Sequence, residues 1–229
     1  MIYIIGDSHV SVFSGTDLTT DGLRHIQPEF GTCYTLSKGQ LRPNINKFEQ
    51  QIPYFCPIKI GSNTAYNSYT KIHIIEQVIE EYTITENDYI FLCFGEIDIR
   101  NHIGENTEKN NITINESIGI CVDKYMETIL YLNEKYKNVG VYGPPASSVG
   151  WAGTYGYKDV KFRNSMTVMF NSFLKDKCNK NKILFKDISE KMILDDGTTN
   201  QNYIMDDIHL SQKAMPLILK EFNDIICKE

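Results

Sequence analysis

MIYIIGDSHV, residues Met1 to Val10, begins as an apolar run of strand-forming residues and becomes polar after Gly6. Such a run is typical of a strand buried in a parallel sheet. Open α/β sheets bind their ligands in the loops beyond the carboxyl ends of such strands. A sharp turn at this point would leave the hydroxyl of Ser8 exposed at the edge of the sheet. Because Gly-Asp-Ser is also common in ordinary turns, the motif alone does not separate a nucleophile from a simple connection.

Near the other end of the chain, Asp206 precedes His209 by three residues, just ahead of an amphipathic stretch. A carboxylate that binds one imidazole nitrogen fixes the tautomer in which the other nitrogen can take a proton from a serine. The spacing puts Asp206 within reach of His209, whereas the side chain of Asp207 is expected to diverge. Ser8, His209 and Asp206 are therefore candidates for nucleophile, base and orienting acid. The alternative is a helix-capping aspartate beside a surface histidine.

Apolar runs alternate with stretches of helical periodicity along the chain. Strands are predicted over residues 3–5, 57–60, 88–94, 139–142 and 182–187, and helices over 72–79, 113–136, 163–178 and 211–226. The helix that starts at Thr113 opens with the sequence of a capping box, Thr-Ile-Asn-Glu. This alternation predicts a parallel sheet of about five strands with helices on both faces, which is a three-layer α/β/α sandwich.

Four short motifs resemble the sequence blocks of the SGNH hydrolases, also called the GDSL esterase/lipase superfamily. They are Gly6-Asp-Ser-His9, Gly61 after the second strand, Gly95-Glu-Ile-Asp98 after the third, and Asp206-x-x-His209. The resemblance spans residues 6–209 and implies a flavodoxin-like sheet and a serine esterase that uses Ser8, His209 and Asp206. The segment from Phe94 to Arg100 also resembles a variant found in proteins associated with surface-glycan metabolism.

The resemblance implies an oxyanion hole formed by the backbone of Ser8, the backbone of Gly61 and an asparagine in a Gly-x-Asn-Asp block. This chain has isoleucine, Ile97, at the asparagine position, and isoleucine cannot donate a hydrogen bond. Loss of one such donor lowers the rate by about 10²–10³ in a serine protease. The missing donor thus bears directly on the activity of the protein. The predicted oxyanion and substrate-binding residues are Gly61, Asn63, Gly95, Glu96, Asp98, Arg100 and Asn101.

Three of these residues are candidates to replace the missing asparagine. Asn63 follows Gly61 closely, and Arg100 and Asn101 come shortly after Asp98. Arg100 is favoured, and its alternative role is an ion pair with Glu96 or Asp98. A cationic donor at this position would favour an anionic or polar sugar substrate over a lipid.

Two loops are expected to border the site. About fifty residues with little periodicity follow Ser8, which is long for a connection and favours a substrate mouth over a simple link. The aromatic residues in or beside that stretch suit either stacking on sugars or local packing; they are Phe13, His25, Phe30, Tyr34, Phe48 and Tyr54. After the fourth strand, Ser147 and Trp151 are candidate substrate-wall residues, with a structural loop role as the alternative.

The bulk properties favour one enzyme domain over residues 1–229. The net charge of −6 and the absence of a basic stripe in the sequence argue against nucleic-acid binding. The six cysteines show no paired zinc spacing, so no metal and no cofactor is predicted. The sequence shows no secretory signal and no membrane-spanning run, which predicts a cytoplasmic protein without a membrane partner. The oligomeric state is not predicted.

Two functional classes follow. The first is an esterase that removes a small acyl group, with acetyl favoured, from a carbohydrate or another polar ester. A carbohydrate O-acyltransferase would pass through the same acyl-enzyme and differ only in the acceptor. The second class is a non-catalytic domain that binds a glycan or helps to assemble one, which the missing asparagine allows. The expected partner in either case is a small-molecule or glycan ester.

Overall fold

One mixed sheet forms the centre of the protein. The computed structural model describes residues 1–14, 33–37, 40–44, 54–61, 63–150 and 156–227. Within these ranges seven strands pair in the order β3-β2-β4-β1-β5-β6-β7. The strands are β1 Ile2–Gly6, β2 Cys33–Ser37, β3 Gln40–Asn44, β4 Phe55–Lys59, β5 Tyr89–Cys93, β6 Val139–Tyr142 and β7 Leu184–Lys186. Every neighbouring pair is parallel except β2 with β3. The five predicted parallel strands are confirmed, with β1 between β4 and β5.

The helices connect the strands in the predicted alternation. Their bounds are α1 Ile72–Glu81, α2 Ile103–Asn110, α3 Ile114–Lys135, α4 Val160–Lys180, α5 Ser189–Met192, α6 Met215–Glu221 and α7 Asn223–Ile226. A 3₁₀ helix covers Ser8–Ser14, and a π-helical turn covers Asp98–His102. The predicted closing helix is present but interrupted at Phe222, which separates α6 from α7. The π-helical turn and α2 were not predicted, because their sequence is polar and carries no clear period.

Side chains that alternate along each strand build one core on each face of the sheet. Ile5 and Leu92 pack with buried residues of α1, α3 and α4 on one face. Ile4 and Phe91 pack on the other face with the 3₁₀ helix, α5, α6 and α7. Burial of each such side chain contributes about 1.5–3 kcal/mol to folding. The three-layer α/β/α prediction is therefore confirmed.

The segment that follows Ser14 differs from the sequence interpretation. It was predicted as a long connection, but β2 and β3 form an antiparallel hairpin that extends the sheet beyond β4. Phe13 is fully buried against Phe55 and Phe222, so local packing accounts for it. Tyr54 is 40% exposed. Among the other aromatic residues proposed for stacking, His25, Phe30 and Phe48 lie outside the described residues, as does Trp151, and Tyr34 is described only by its backbone place in β2.

Candidate active site

Loops from three adjacent strands meet at one edge of the sheet. β1, β4 and β5 lie side by side and in parallel, so the residues that follow them share the same edge. The Ile60 amide donates to the Gly6 carbonyl (2.9 Å), and the Asp7 amide donates to the Cys93 carbonyl (3.3 Å). These bonds continue the strand pairing just past the ends of the strands. They fix the segment that carries Ser8 against its two neighbours.

The turn at Gly6 accounts for the position of Ser8. A Cβ on residue 6 would collide with the carbonyl oxygen of Cys93, so only glycine fits there. Asp7 Oδ1 then accepts a hydrogen bond from the His9 amide (2.9 Å), which satisfies an amide in the first turn of the 3₁₀ helix. Ser8 is the first residue of that helix and remains half-buried.

Ser8, His209 and Asp206 form a continuous hydrogen-bonded chain. The Ser8 Oγ lies 2.8 Å from Nε2 of His209, and Nδ1 of His209 lies 2.8 Å from Oδ2 of Asp206. The other carboxylate oxygen, Oδ1, accepts the backbone amides of Ile208 and His209, both at 2.7 Å. All four hydrogen bonds together hold the carboxylate and the imidazole in one orientation. The structure thus brings together the three residues that the sequence singled out for this role.

The charges of His209 and Asp206 suit proton transfer from Ser8. Burial lowers the pKa of His209, although the hydrogen bond to Asp206 raises it, and the balance is a lowered value. Burial raises the pKa of Asp206, but the hydrogen bonds from His209 and Ile208 outweigh it and bring the pKa to about 2. Near neutral pH the imidazole is therefore neutral and the carboxylate ionised. This is the protonation state in which an imidazole can act as a general base.

Asp207, the rival to Asp206, points elsewhere. It is exposed, and its backbone packs against Gly150, where an added Cβ would lie 2.5 Å from the Asp207 carbonyl oxygen. Asp206, with a side chain only 4% exposed, is the carboxylate that contacts His209.

Three donors without partners lie at the same edge. The Nδ2 of Asn63 is buried and donates to none of the described residues, while its Oδ1 accepts a hydrogen bond from the Thr64 amide (3.0 Å). Gly61 adopts φ +86°, which starts the turn that leads to Asn63. Within the described residues, the amides of Ser8 and Gly61 also donate to no other group. Buried polar groups are nearly always paired, so the unpaired Nδ2 of Asn63 is a mark of a ligand site.

Glu96 and Arg100 form an ion pair, which is the alternative role set out for Arg100. Arg100 Nε donates to Glu96 Oε1 at 2.8 Å. The second oxygen of Glu96 lies 3.0 Å from Nε2 of His9. Burial raises the pKa of Glu96, but His9 and Arg100 together lower it to about 2. The fold thus places beside His9 an acid, Glu96, that is distant from it in the sequence.

Asp98 supports the loop after β4. Its side chain is completely buried, and its carboxylate accepts the amides of Ala65 (2.7 Å) and Tyr66 (3.3 Å). These bonds give Asp98 a structural role, and its predicted role in substrate binding stays a prediction. Gly95, at φ +119°, packs against Phe170, where a Cβ would lie only 3.0 Å from the ring. Asn101 is half-buried in the π-helical turn.

The loop after β6 is held by residues of α4. The Ser147 amide donates to Asn164 Oδ1 (2.9 Å), and its carbonyl accepts from Thr199, so Ser147 has the structural role set out as its alternative. Arg163 is 1% exposed and donates to the carbonyls of Ser148 and Tyr157. Arg163 thereby links the two segments that flank residues 151–155. Nothing in the sequence singled it out, since its partners are backbone carbonyls.

A cavity of about 290 Å³ has Asp98 among its lining residues. Tyr66, Asn67, His102 and Asn106 are among its lining residues, which do not include Ser8 or His209. Across the described ranges, no helix is long and apolar enough to cross a bilayer. In the same ranges, no three His, Cys, Asp or Glu side chains come together as metal ligands.

Three solved structures share this fold. A GDSL-like lipase from Bacteroides thetaiotaomicron aligns over 99% of this chain and 87% of its own, with TM-score 0.60 and 10% identity. A lipase/acylhydrolase from Enterococcus faecalis aligns over 97% and 95%, with TM-score 0.52 and 13% identity. A carbohydrate acetylesterase family member from Sinorhizobium meliloti aligns over 98% and 96%, with TM-score 0.52 and 12% identity. No protein-family model and no curated protein sequence matches the chain.

Proposed function

We propose that this protein, whose fold is that of the SGNH hydrolases, is a serine esterase that removes a small acyl group, with acetyl favoured, from a carbohydrate or related polar ester. The observation that carries the proposal is the chain of 2.8 Å contacts from Ser8 Oγ through the His209 ring to Asp206. A hydroxyl in this arrangement can lose its proton to the imidazole as it attacks. The more general function of an ester hydrolase is also supported by the structural similarity to a lipase and to a lipase/acylhydrolase.

The reaction would proceed in two halves. Ser8 Oγ attacks the ester carbonyl carbon while His209 Nε2 takes the hydroxyl proton, and the carbonyl oxygen gains a negative charge. The tetrahedral intermediate collapses as the C–O bond to the alcohol breaks, and His209 returns the proton to the departing oxygen. Water then attacks the acyl-Ser8 ester with His209 again as base, which releases the acid and restores the serine.

The oxyanion would be bound by the amides of Ser8 and Gly61 and by Asn63 Nδ2. Within the described residues none of these donors has a partner, so each can bind the developing charge without breaking another bond there. Asn63 supplies the side-chain amide that Ile97 cannot. Arg100 is less suited than the sequence indicated, because its Nε is committed to Glu96.

A polar, acetylated substrate is supported by two observations. One structural neighbour is a carbohydrate acetylesterase family member. The loops at the edge of the sheet also present amide and charged groups, such as Asn63 and Arg100, where a lipase would be expected to expose an apolar surface. Polar groups of this kind can hydrogen-bond the hydroxyls of a sugar.

The test is turnover of aryl esters with acyl chains of increasing length, together with acetylated sugars. Wild type is expected to favour the acetyl ester, and Ser8→Ala to abolish turnover. Ser165→Ala is a matched control, because Ser165 is exposed on α4 and bonds only its own helix. Turnover that survives in Ser8→Ala would remove the proposal. Acyl transfer to an added sugar in preference to water would reassign the protein as an acyltransferase, and sugar binding without any turnover would favour the non-catalytic domain.

A further inference from the structure

His9 is a buried histidine that the reaction described above does not use. It is 3% exposed, and its ring lies against the ring of His209 with centroids 5.1 Å apart and planes tilted by 37°. Its Nε2 faces Glu96 at 3.0 Å, and Glu96 in turn accepts from Arg100 at 2.8 Å. Arg100, Glu96 and His9 therefore form a line of ionisable side chains. The line ends at the face of the His209 ring.

A line of ionisable side chains is unusual in a protein interior. Apolar side chains of similar volume would pack there without the penalty of taking charges out of water. One oxygen of Glu96 accepts a hydrogen bond from Arg100, and the other lies at ion-pair distance from His9 Nε2. The same arrangement fixes the ring of His9, and that ring closes one face of His209. His9 thus supports the face of the His209 ring. Asp206 binds only Nδ1, at the edge of that ring.

The charges around this contact favour a cationic His9. Burial lowers the pKa of His9, but Glu96 raises it more, and Asp7 adds to the rise while Arg100 opposes it. His209 is faced by Asp206 and Glu96, which raise its pKa, and by His9, which lowers it. From α4, Arg163 adds a further positive charge near Glu96. A cation beside His209 makes protonation of His209 less favourable.

We propose that His9, held by Glu96 and Arg100, is a positioning residue that fixes the ring of His209 and, as a cation, extends the activity of the base to lower pH. The proposal rests on the esterase function proposed above. Its consequence is that the acid limb of the pH profile depends on a residue that does not touch the ester. A role in packing alone would not move that limb.

The test replaces His9 by a ring without a charge. In His9→Phe, the acid limb of the pH profile of kcat/KM is expected to move to higher pH, by up to about one unit. His73→Phe is the matched control, because His73 is exposed on α1, and its profile is expected to overlie that of the wild type. His9→Gln, smaller and neutral, gives the same test should the phenylalanine variant fail to fold.

A second readout does not depend on activity. NMR titration of the His209 ring in a Ser8→Ala background is expected to give a higher pKa with His9→Phe than without it. An unchanged His209 pKa and an unchanged acid limb would overturn the proposal. An equal loss of rate at every pH would overturn it too, since it would assign His9 to packing. Absence of esterase activity in the wild type would remove the proposed function, while the NMR titration would still decide the effect of His9 on His209.

Discussion

Removal of the Asn63 amide is expected to separate catalysis from stability. Asn63 Nδ2 has no partner among the residues that the structure describes, so Asn63→Ala breaks no hydrogen bond made by that nitrogen there. The Oδ1 bond to the Thr64 amide is lost, and a bond of this kind is worth about 0.5–1.5 kcal/mol. The loss of one oxyanion donor lowers kcat by about 10²–10³, or about 2.7–4 kcal/mol of transition-state stabilisation. The rate should therefore fall by more than the stability.

The assay is kcat and KM on an aryl acetate, with the free energy of unfolding measured in urea on the same samples. KM is expected to change little, because the donor binds charge that develops only in the transition state. Asn63→Asp keeps the acceptor oxygen and loses the donor, so its kcat should fall at least as far. Asn179→Ala removes an exposed amide at the end of α4 and serves as the control. Wild-type kcat in a folded Asn63→Ala protein would refute the reasoning.

Three further predictions concern the charges and the helices. Asp206→Asn is expected to lower kcat by about 10⁴-fold, as loss of the orienting carboxylate does in a serine protease, whereas Asp207→Asn should leave it near the wild-type value. The pKa of Glu96 is lowered from its usual 4.5 to about 2, so its contribution to stability is complete above pH 4.5 and is lost as the pH falls toward 2. Urea unfolding across that range should show the loss, and Glu96→Gln should flatten it. Gly119→Ala in α3, where nothing lies within 4 Å of an added Cβ, should raise the free energy of unfolding by about 0.5–1 kcal/mol in the same assay.

Features that depend on neighbouring residues were predictable from the sequence. The apolar run before Gly6 predicted β1, and the capping box at Thr113 forms as expected, with Glu116 bound to the Thr113 amide at 2.8 Å. The reach of Asp206 to His209 follows from their spacing, because both lie within one turn of chain. Local geometry determines each of these features, so the order of residues is enough to foresee them.

Contacts between distant segments were not predictable in the same way. The sequence interpretation favoured Arg100 as the missing donor, but Glu96 lies one helical turn before it and binds its Nε. His9 has no acid placed as Asp206 is placed before His209, and it meets Glu96 because β1 and β5 are adjacent in the sheet. The role of Asn63 depends on a side chain left unpaired after folding. A pattern of residues cannot show which polar groups the fold leaves without partners.

The most direct measurement is reaction of the protein with a small fluorophosphonate, with the modified peptide identified by mass spectrometry. The account predicts a single adduct on Ser8, formed rapidly in the wild type and in Asp207→Asn and almost abolished in a folded His209→Ala variant. An adduct on another residue, or a Ser8 adduct that forms equally fast without His209, would contradict the claim that these two residues act as nucleophile and base.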